Sequence, residues 1–509
     1  MSDTAFERFA SLAADSPSGN PGSDSKARIV PVWRDCLLDT DTPVSAFAKV
    51  RRGPFAFLLE SAPAGGETWA RYTFLGTEPR SAWRLRDGTV DDWNATLGWH
   101  NARTPADPLA DLDEHINAAT PVDVPELGAF WTGAVGYFSY DMVRHIENLP
   151  HRPAGSSLPD CVFVFTRSMI VVDSLRSQAR IVVGVHVPRG SPRATLRELF
   201  DCACREIDEL QSRLRGPSPL QPLDLSAGKP PASGRSSIER PAFMEAVERI
   251  REYIHAGDCF QVLLSRQIEL EADFDPASLY RALRVLNPSP YMYHVVLDGT
   301  DIVGSSPELL VRMAGSRVTV RPIAGTRRRG TSADEDAALT TELLADPKER
   351  AEHIMLVDLG RNDVGRVARF GTVEVTELMQ VEKYSHVLHI VSQVEGDVSP
   401  EMSAMDVFRA TFPAGTMTGA PKVRAMQIID ELEPVSRGAY AGAIGYIAGG
   451  GERMDLAITI RTCVIAGGVA TVQAGAGIVA DSVAEREWDE TASKAGALLS
   501  AIAQVRDRD

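Results

Sequence analysis

Between positions 321 and 365 the chain reads RPIAGTRRRGTSADEDAALTTELLADPKERAEHIMLVDLGRNDVG, and this stretch constrains the fold more than any other. An alternating run from Arg317 to Arg321 predicts a strand ending at Pro322, followed by a glycine turn at Ala324-Gly325-Thr326. From Pro347 the spacing predicts a helix, with proline suited to the first turn and Gly360 as its stop. Glu349 and Glu352 then share a helical face with Leu356 below them. Two carboxylates on one face make half of a site for a hard divalent cation. On spacing alone, a solvated acidic face is the commoner meaning.

Composition narrows the class. At 509 residues, 44% hydrophobic and 24% charged, the chain has ample core and the balance of a soluble globular protein. A formal net charge of −16 argues against a broad nucleic-acid footprint. No run is long enough to span a bilayer, and the first twenty residues lack a basic segment followed by an apolar core. Cys36, Cys161, Cys202, Cys204, Cys259 and Cys463 are scattered, with neither zinc spacing nor a disulfide framework, which points to a reducing cytoplasm.

Residues 1–27, rich in Ser, Asp, Gly and Pro, predict a flexible tail. Asp41-Thr42-Pro43 predicts a capped helix start. Phe55 to Ser61 predicts a strand, paired with WARYTFLG across a Gly65-Gly66 turn. Residues 161–173 and 179–187 predict two further strands, and 193–215 a helix. Pro217, Pro219, Pro222, Pro230, Pro231 and Pro241, with Ser and Gly between them, mark 216–240 as a linker or surface loop. It separates an N-terminal region, 28–215, from a second region, 241–503. In the second, CFQVLLSRQIELE alternates as a strand with Gln261, Leu263 and Ser265 on one face. His386 and His389 lie on a β-branched alternating segment, which turns them to opposite faces and speaks against a two-histidine metal pair.

Further site-like elements follow. PAGTMTGAPKVRAMQIIDELEP, 413–434, is a glycine loop entering a helix, an arrangement able to cradle an anion beside Lys422. Its glycine spacing does not match a nucleotide P-loop, and Lys422 reads equally well as a surface lysine. MDLAITIRTCVI, 454–465, alternates as one strand and puts Arg461 on a small-residue face, as a core ion pair or a carboxylate fork. Gly475 and Gly477 in QAGAGIVADS allow close backbone approach. Glu487, Glu490 and Lys494 line one face of the last helix, where a Glu-Lys surface pair is the usual meaning.

PIAGT, ERAEH, DLGRNDVGRV, FPAGTMTGAPKVRA, AITIRT and QAGAGIVADS, in this order, closely resemble the chorismate-binding family, and most nearly its anthranilate-forming members. The likeness runs from about Arg28 to about residue 503. It implies an α+β fold of large, mostly antiparallel sheets packed as a sandwich with outer helices. It also implies that Glu352 and Glu490 hold Mg²⁺, with Glu349 and Glu487 in support. Tyr440, Arg461, Gly475, Gly477 and Lys494, with Ala324, Gly325 and Thr326, would bind chorismate. Glu308 would be the general acid at the C4 hydroxyl, a role a carboxyl can fill near neutrality if burial raises its pKa. His389, Thr416 and Gln261 would complete the catalytic set. TMTGAPK stands where TLSGAPK is more usual.

Two positions select the reaction within that resemblance. Water-adding relatives carry a lysine base where this chain has Gln261, and makers of 4-amino-4-deoxychorismate typically carry a lysine at Ala324. What remains is attack of ammonia at C2 and loss of pyruvate to give anthranilate; a chain that stops at aminodeoxyisochorismate or makes 4-amino-4-deoxychorismate is the alternative. Glu60 and Ser61 in LLES, with Asn287, Pro288, Ser289, Pro290, Tyr291 and Met292 in NPSPYMY, match elements that bind tryptophan as a feedback inhibitor. This would make 28–215 an effector-binding region and 241–503 the catalytic one. Cys259 lacks a nucleophile elbow, so a separate glutamine amidotransferase subunit is expected to supply ammonia. A silent tryptophan sensor and a di-metal carboxylate enzyme are the rivals. The first has no use for Glu308 or Arg461, and the second lacks placed histidines.

Overall fold

The computed structural model describes residues 3–14, 26–61, 71–151, 153, 155–156, 158–226, 228–384 and 387–506. Two sheets, of 13 and 12 strands, carry the chain. Their pairings are antiparallel apart from Ala27–Leu37 with Ala119–Pro121. The inner faces pack on each other: Phe57, Leu75 and Ile170 of the first sheet share one core with Val135, Val162 and Ile444 of the second. Helices cover the outside. On Arg193–Arg215, Leu196, Phe200, Ala203, Ile207, Leu210 and Leu214 recur at helical spacing and are buried. Thr42 caps Pro43–Val50 as expected, its hydroxyl accepting from Ser45 N. The expected α+β sandwich is the architecture observed. Among the described residues no helix is long and apolar enough to cross a membrane.

Both sheets run continuously from strands before residue 216 to strands after residue 234, the two sets meeting edge to edge at one pair in each sheet. Phe55–Glu60 pairs with Tyr291–Leu297, and Gly133–Phe138 with Ala443–Ala448. Residues 216–226 and 228–234 run outside as irregular segments tied to the last helix, Ser226 N donating to Gln504 Oε1 at 2.8 Å.

Several local expectations are corrected. Within the expected 1–27 tail, Asp3–Ala14 is a helix whose Phe6 and Phe9 are buried, each ring 5.6 Å from Phe200. The polar composition of the whole segment hid two aromatics three residues apart on one helical face. The Gly65-Gly66 turn and His386 lie outside the described residues. The helix beginning at Pro347 runs through Gly360 to Gly365. Gly360 is there for packing, since a Cβ would come within 3.1 Å of Val320 Cγ2. Ala324-Gly325-Thr326 is a bulge in the strand Ile323–Arg328, with Gly325 at φ +65°.

The largest departure is that two runs read as single strands each change sheets. Cys161–Phe165 belongs to the second sheet and Ser168–Asp173 to the first. Likewise Arg453–Ile458 lies in the second sheet and Thr462–Ala466 in the first, with Arg461 between them at φ +51°. Its neighbour crosses at the same level, Thr300–Ser306 in the first sheet and Leu309–Ala314 in the second. Pro307 and Glu308 form that crossing.

Candidate active site

Where the two neighbouring strands leave one sheet for the other, their ladder pairing is interrupted and polar side chains gather. Ile458 N donates to the Glu308 carbonyl at 3.0 Å, and Ser306 Oγ donates to Ile458 O at 2.6 Å, fixing one crossing against the other. Glu308 is buried, and burial pushes its carboxyl up to about 7 against the opposing influence of Thr416, Lys494 and Arg461. Thr416, in the short turn Gly415–Met417, donates its hydroxyl to Glu308 Oε1 at 2.8 Å. A small cavity of about 40 Å³ lies beside this carboxyl, with Arg321, Asp363 and Thr416 in its wall.

Arg461 is partly buried, and desolvation lowers its guanidinium from the usual range although Tyr440, Glu490 and Glu308 are close enough to favour its charge. It donates to the Lys494 carbonyl at 3.2 Å. Lys494 Nζ donates to Gly475 O at 3.0 Å and pairs with Glu490 one helical turn away at 2.7 Å. The Tyr440 hydroxyl is buried against the Gly475 backbone, and burial holds its pKa well up. Gly477 has a steric reason to be glycine: a Cβ there would sit 2.7 Å from Gln261 Nε2. That amide donates to Glu352 Oε1 at 3.1 Å.

The carboxylates come from two helices, Pro347–Gly365 and Ala484–Val505. The first is capped by Asp346, which accepts from Lys348 N and Glu349 N. Burial raises Glu352, with Glu349 and Glu490 adding like charge; burial raises Glu487 too, with Glu490 again adding to it. The four side chains thus feel one another across the cleft. They have not converged: Glu349 accepts from Arg327 at 2.9 Å, Glu352 from Gln261, and Glu490 holds Lys494. Among the described residues, no group of three or more His, Cys, Asp or Glu side chains is close enough to hold a metal ion.

His389 is on the strand Val387–Asp397, as expected, with Nδ1 2.9 Å from the Gly325 carbonyl and 3.2 Å from Thr326 Oγ1. A carbonyl only accepts, so Nδ1 carries the proton and Nε2 is left as an acceptor. Burial lowers its pKa from the ordinary value, which keeps the ring neutral at pH 7. The bulge at Gly325 turns that carbonyl toward His389 and sets Ala324 in the same strand. Lys422 does not serve as an anion-binding charge: Asp363 on the Pro347–Gly365 helix holds its ammonium through both oxygens at 2.9 Å. The reading of the sequence missed Arg437. This buried guanidinium pairs with Glu433 at 2.7 Å, donates to Met417 O and Leu263 O, and lies 4.7 Å from the Tyr140 ring. It thereby ties the Thr416 turn to the Gln261 strand, and its only sequence signal is a lone arginine in the Gly- and Ala-rich run SRGAYAGAIG.

A second cavity, of about 430 Å³, lies elsewhere between the sheets, and Glu60, Ser61, Pro290, Tyr291 and Met292 are in its wall. Met292 stands opposite Glu60 on paired strands, so two elements far apart in sequence meet there. Glu60 accepts from Tyr280 Oη at 2.8 Å and from Arg284 at 2.7 Å. Asn287, Pro288 and Ser289 precede the cavity wall, and the Asn287 carbonyl accepts from Ser305 Oγ.

A buried carboxyl with a raised pKa, an arginine and a lysine beside it, and glutamates from two helices form one site on this double-sheet fold. Residues 67–500 match the family of chorismate binding enzymes, and the chain belongs to that family. It is 46% identical over 487 residues to anthranilate synthase component 1 from Acinetobacter calcoaceticus, covering 93% of this chain and 95% of that one. Among solved structures, anthranilate synthase component I from Streptococcus pneumoniae superposes with a TM-score of 0.74 at 36% identity, covering 91% and 99% of the two chains. The menaquinone-specific isochorismate synthase from Escherichia coli shares the fold, with a TM-score of 0.66 at 19% identity over 98% and 99%.

Proposed function

We propose that the chain converts chorismate and ammonia to anthranilate, pyruvate and water, working in the cytoplasm with a separate glutamine amidotransferase subunit and inhibited by tryptophan. The observation that carries this reading is Glu308: a carboxyl still protonated near neutrality, held by Thr416, beside Arg461 and Lys494. Arg461, Lys494, Tyr440 and the Gly475 and Gly477 amides bind the substrate carboxylates, for which a guanidinium and an ammonium are suited. Glu308 gives its proton to the C4 hydroxyl, which leaves as water. The nitrogen bonds to C2 as the ring double bonds shift, and loss of the C2 proton with the enolpyruvyl ether then releases pyruvate and restores aromaticity. Gln261 has no basic nitrogen with which to deprotonate water, whereas ammonia is already a nucleophile. His389 Nε2 accepts a hydrogen bond at the ring.

Glu352 and Glu490, supported by Glu349 and Glu487, offer the hard oxygen donors that Mg²⁺ requires; burial raises Glu352 and Glu487, with the like charge of their glutamate neighbours adding to it, and a cation relieves both. When bound, Mg²⁺ supplies positive charge to a substrate carboxylate and to the departing oxygen.

Two outcomes follow for solution experiments. The purified chain turns over chorismate with ammonium but not with glutamine, and gains glutamine-dependent activity only when an amidotransferase subunit is added; glutamine-driven anthranilate from the chain alone contradicts this. Tryptophan occupies the 430 Å³ cavity. Ser61→Ala therefore raises the tryptophan concentration for half-inhibition by about tenfold, the scale of one lost hydrogen bond to a charged group, with the uninhibited rate unchanged. Absence of tryptophan binding to the wild-type chain by calorimetry contradicts the effector assignment.

A further inference from the structure

We propose that Glu382 is a positioning residue that joins the wall of the tryptophan cavity to His389 and Glu308, so that an occupant of the cavity slows catalysis by displacing the Arg321–Glu382–Tyr384 contact. The inference rests on the effector reading above and assigns the residues through which it acts.

The geometry is a short chain of contacts. Arg321 and Leu309 are in the wall of both the 430 Å³ cavity and the small cavity beside Glu308. Arg321 is therefore the partition between them. Its Nε is buried and has no hydrogen-bond partner. Its charge is met by Glu382, in close contact through Nη2 and at 3.4 Å through Nη1, and by the more exposed Glu377 at 3.4 Å. Glu382 Oε2 also accepts from the Tyr384 hydroxyl at 2.9 Å. Tyr384 is in the wall of the large cavity, and its ring meets His389 edge-on at 5.3 Å.

Glu382 therefore holds two residues of one cavity wall, and each of them touches a different part of the candidate active site. Packed interiors resist compression, so displacement of Tyr384 must move the His389 ring or break the bond to Glu382. Loss of the Glu382 contact leaves the guanidinium of Arg321 with Glu377 as its one remaining carboxylate among the described residues, and Arg321 must then shift against Leu309, the residue next to Glu308. Glu382 itself lines neither cavity, so it can be changed without removing a contact to either ligand.

The test uses Glu382→Gln, which keeps the shape and removes the charge, Glu382→Asp, which keeps the charge, and Tyr384→Phe, which removes only the hydroxyl bond. Tryptophan binding is measured by calorimetry with and without chorismate, and inhibition is measured in the ammonium assay. In Glu382→Gln the tryptophan affinity and uninhibited rate stay within about threefold of wild type, while the factor by which chorismate weakens tryptophan binding falls by about tenfold. At saturating tryptophan this variant keeps a substantial rate. Tyr384→Phe shows the same change in smaller degree, and Glu382→Asp restores most of the coupling. If Glu382→Gln and Tyr384→Phe bind tryptophan and are fully inhibited like wild type, the inference is overturned while the effector cavity stands. If the wild type binds no tryptophan, the effector reading fails and takes this inference with it.

Discussion

Replacing Glu308 with Gln lowers ammonia-dependent turnover by about 100- to 10,000-fold, the range for removal of a positioned general acid, with little change in chorismate KM. The amide preserves the shape and the contact with Thr416 but has no proton to give. The pH dependence supplies a second signature. With the wild-type carboxyl at about 7, the acid form is present below that pH and lost above it, so kcat/KM normalised to free ammonia falls as pH rises through 7. The variant has no such limb. Stability moves in the opposite direction from activity. Because the folded-state pKa is raised from 4.5 to about 7, the native state holds a proton that the unfolded chain has released, and wild-type stability declines between those values. The full difference is about 3 kcal/mol. Glu308→Gln is therefore the more stable protein at pH 8 and gains nothing at pH 4, which thermal unfolding at the two pH values checks. A variant with wild-type activity would remove Glu308 from the mechanism.

Glu352→Ala and Glu490→Ala each lower turnover by at least about 100-fold, since a divalent cation stabilises transition-state charge by several kcal/mol. The decisive readout is independent of rate. Mg²⁺ in the presence of chorismate raises the wild-type unfolding temperature by binding the native state alone, and that rise is lost in both variants. The carboxylates feel one another's charge but are held apart by Arg327, Gln261 and Lys494, so ligand binding has to redirect Glu490 away from Lys494. Removing Glu490 frees the Lys494 ammonium. A compensating fall in chorismate KM in Glu490→Ala, with the metal response lost, is the expected pattern. Near wild-type rates and an intact Mg²⁺ response in both variants would contradict the metal assignment.

Much of the secondary structure was legible because its signals are local. Thr42 before Pro43, Pro347 at a first turn, and the apolar stripe from Leu196 to Leu214 each specify a helix without reference to the rest of the chain. The changes of sheet were not legible. The apolar, β-branched run resumes directly after Thr166-Arg167, and alternation continues through Thr459 to Arg461, so each pattern reads as one strand although the backbone leaves its ladder there. Arg461 sits in the second of these crossings and Glu308 in the neighbouring one between Ser306 and Leu309, and the environment that raises one pKa and lowers the other is made by strands remote in sequence. In the same way nothing local says that Glu60 lies opposite Met292. The motifs located most of the candidate residues through resemblance, while their partners Arg437 and Glu382 carry no local signature because their roles depend on what folds against them.

The most direct measurement is product analysis of the purified wild-type chain supplied with chorismate, Mg²⁺ and ammonium at high pH, by fluorescence and mass. Ala324 offers no amine beside the ring and Gln261 cannot activate water, so the expected products are anthranilate and pyruvate in equal amounts, with no 4-amino-4-deoxychorismate and no isochorismate. Formation of 4-amino-4-deoxychorismate, or of aminodeoxyisochorismate without pyruvate, would contradict the proposed reaction.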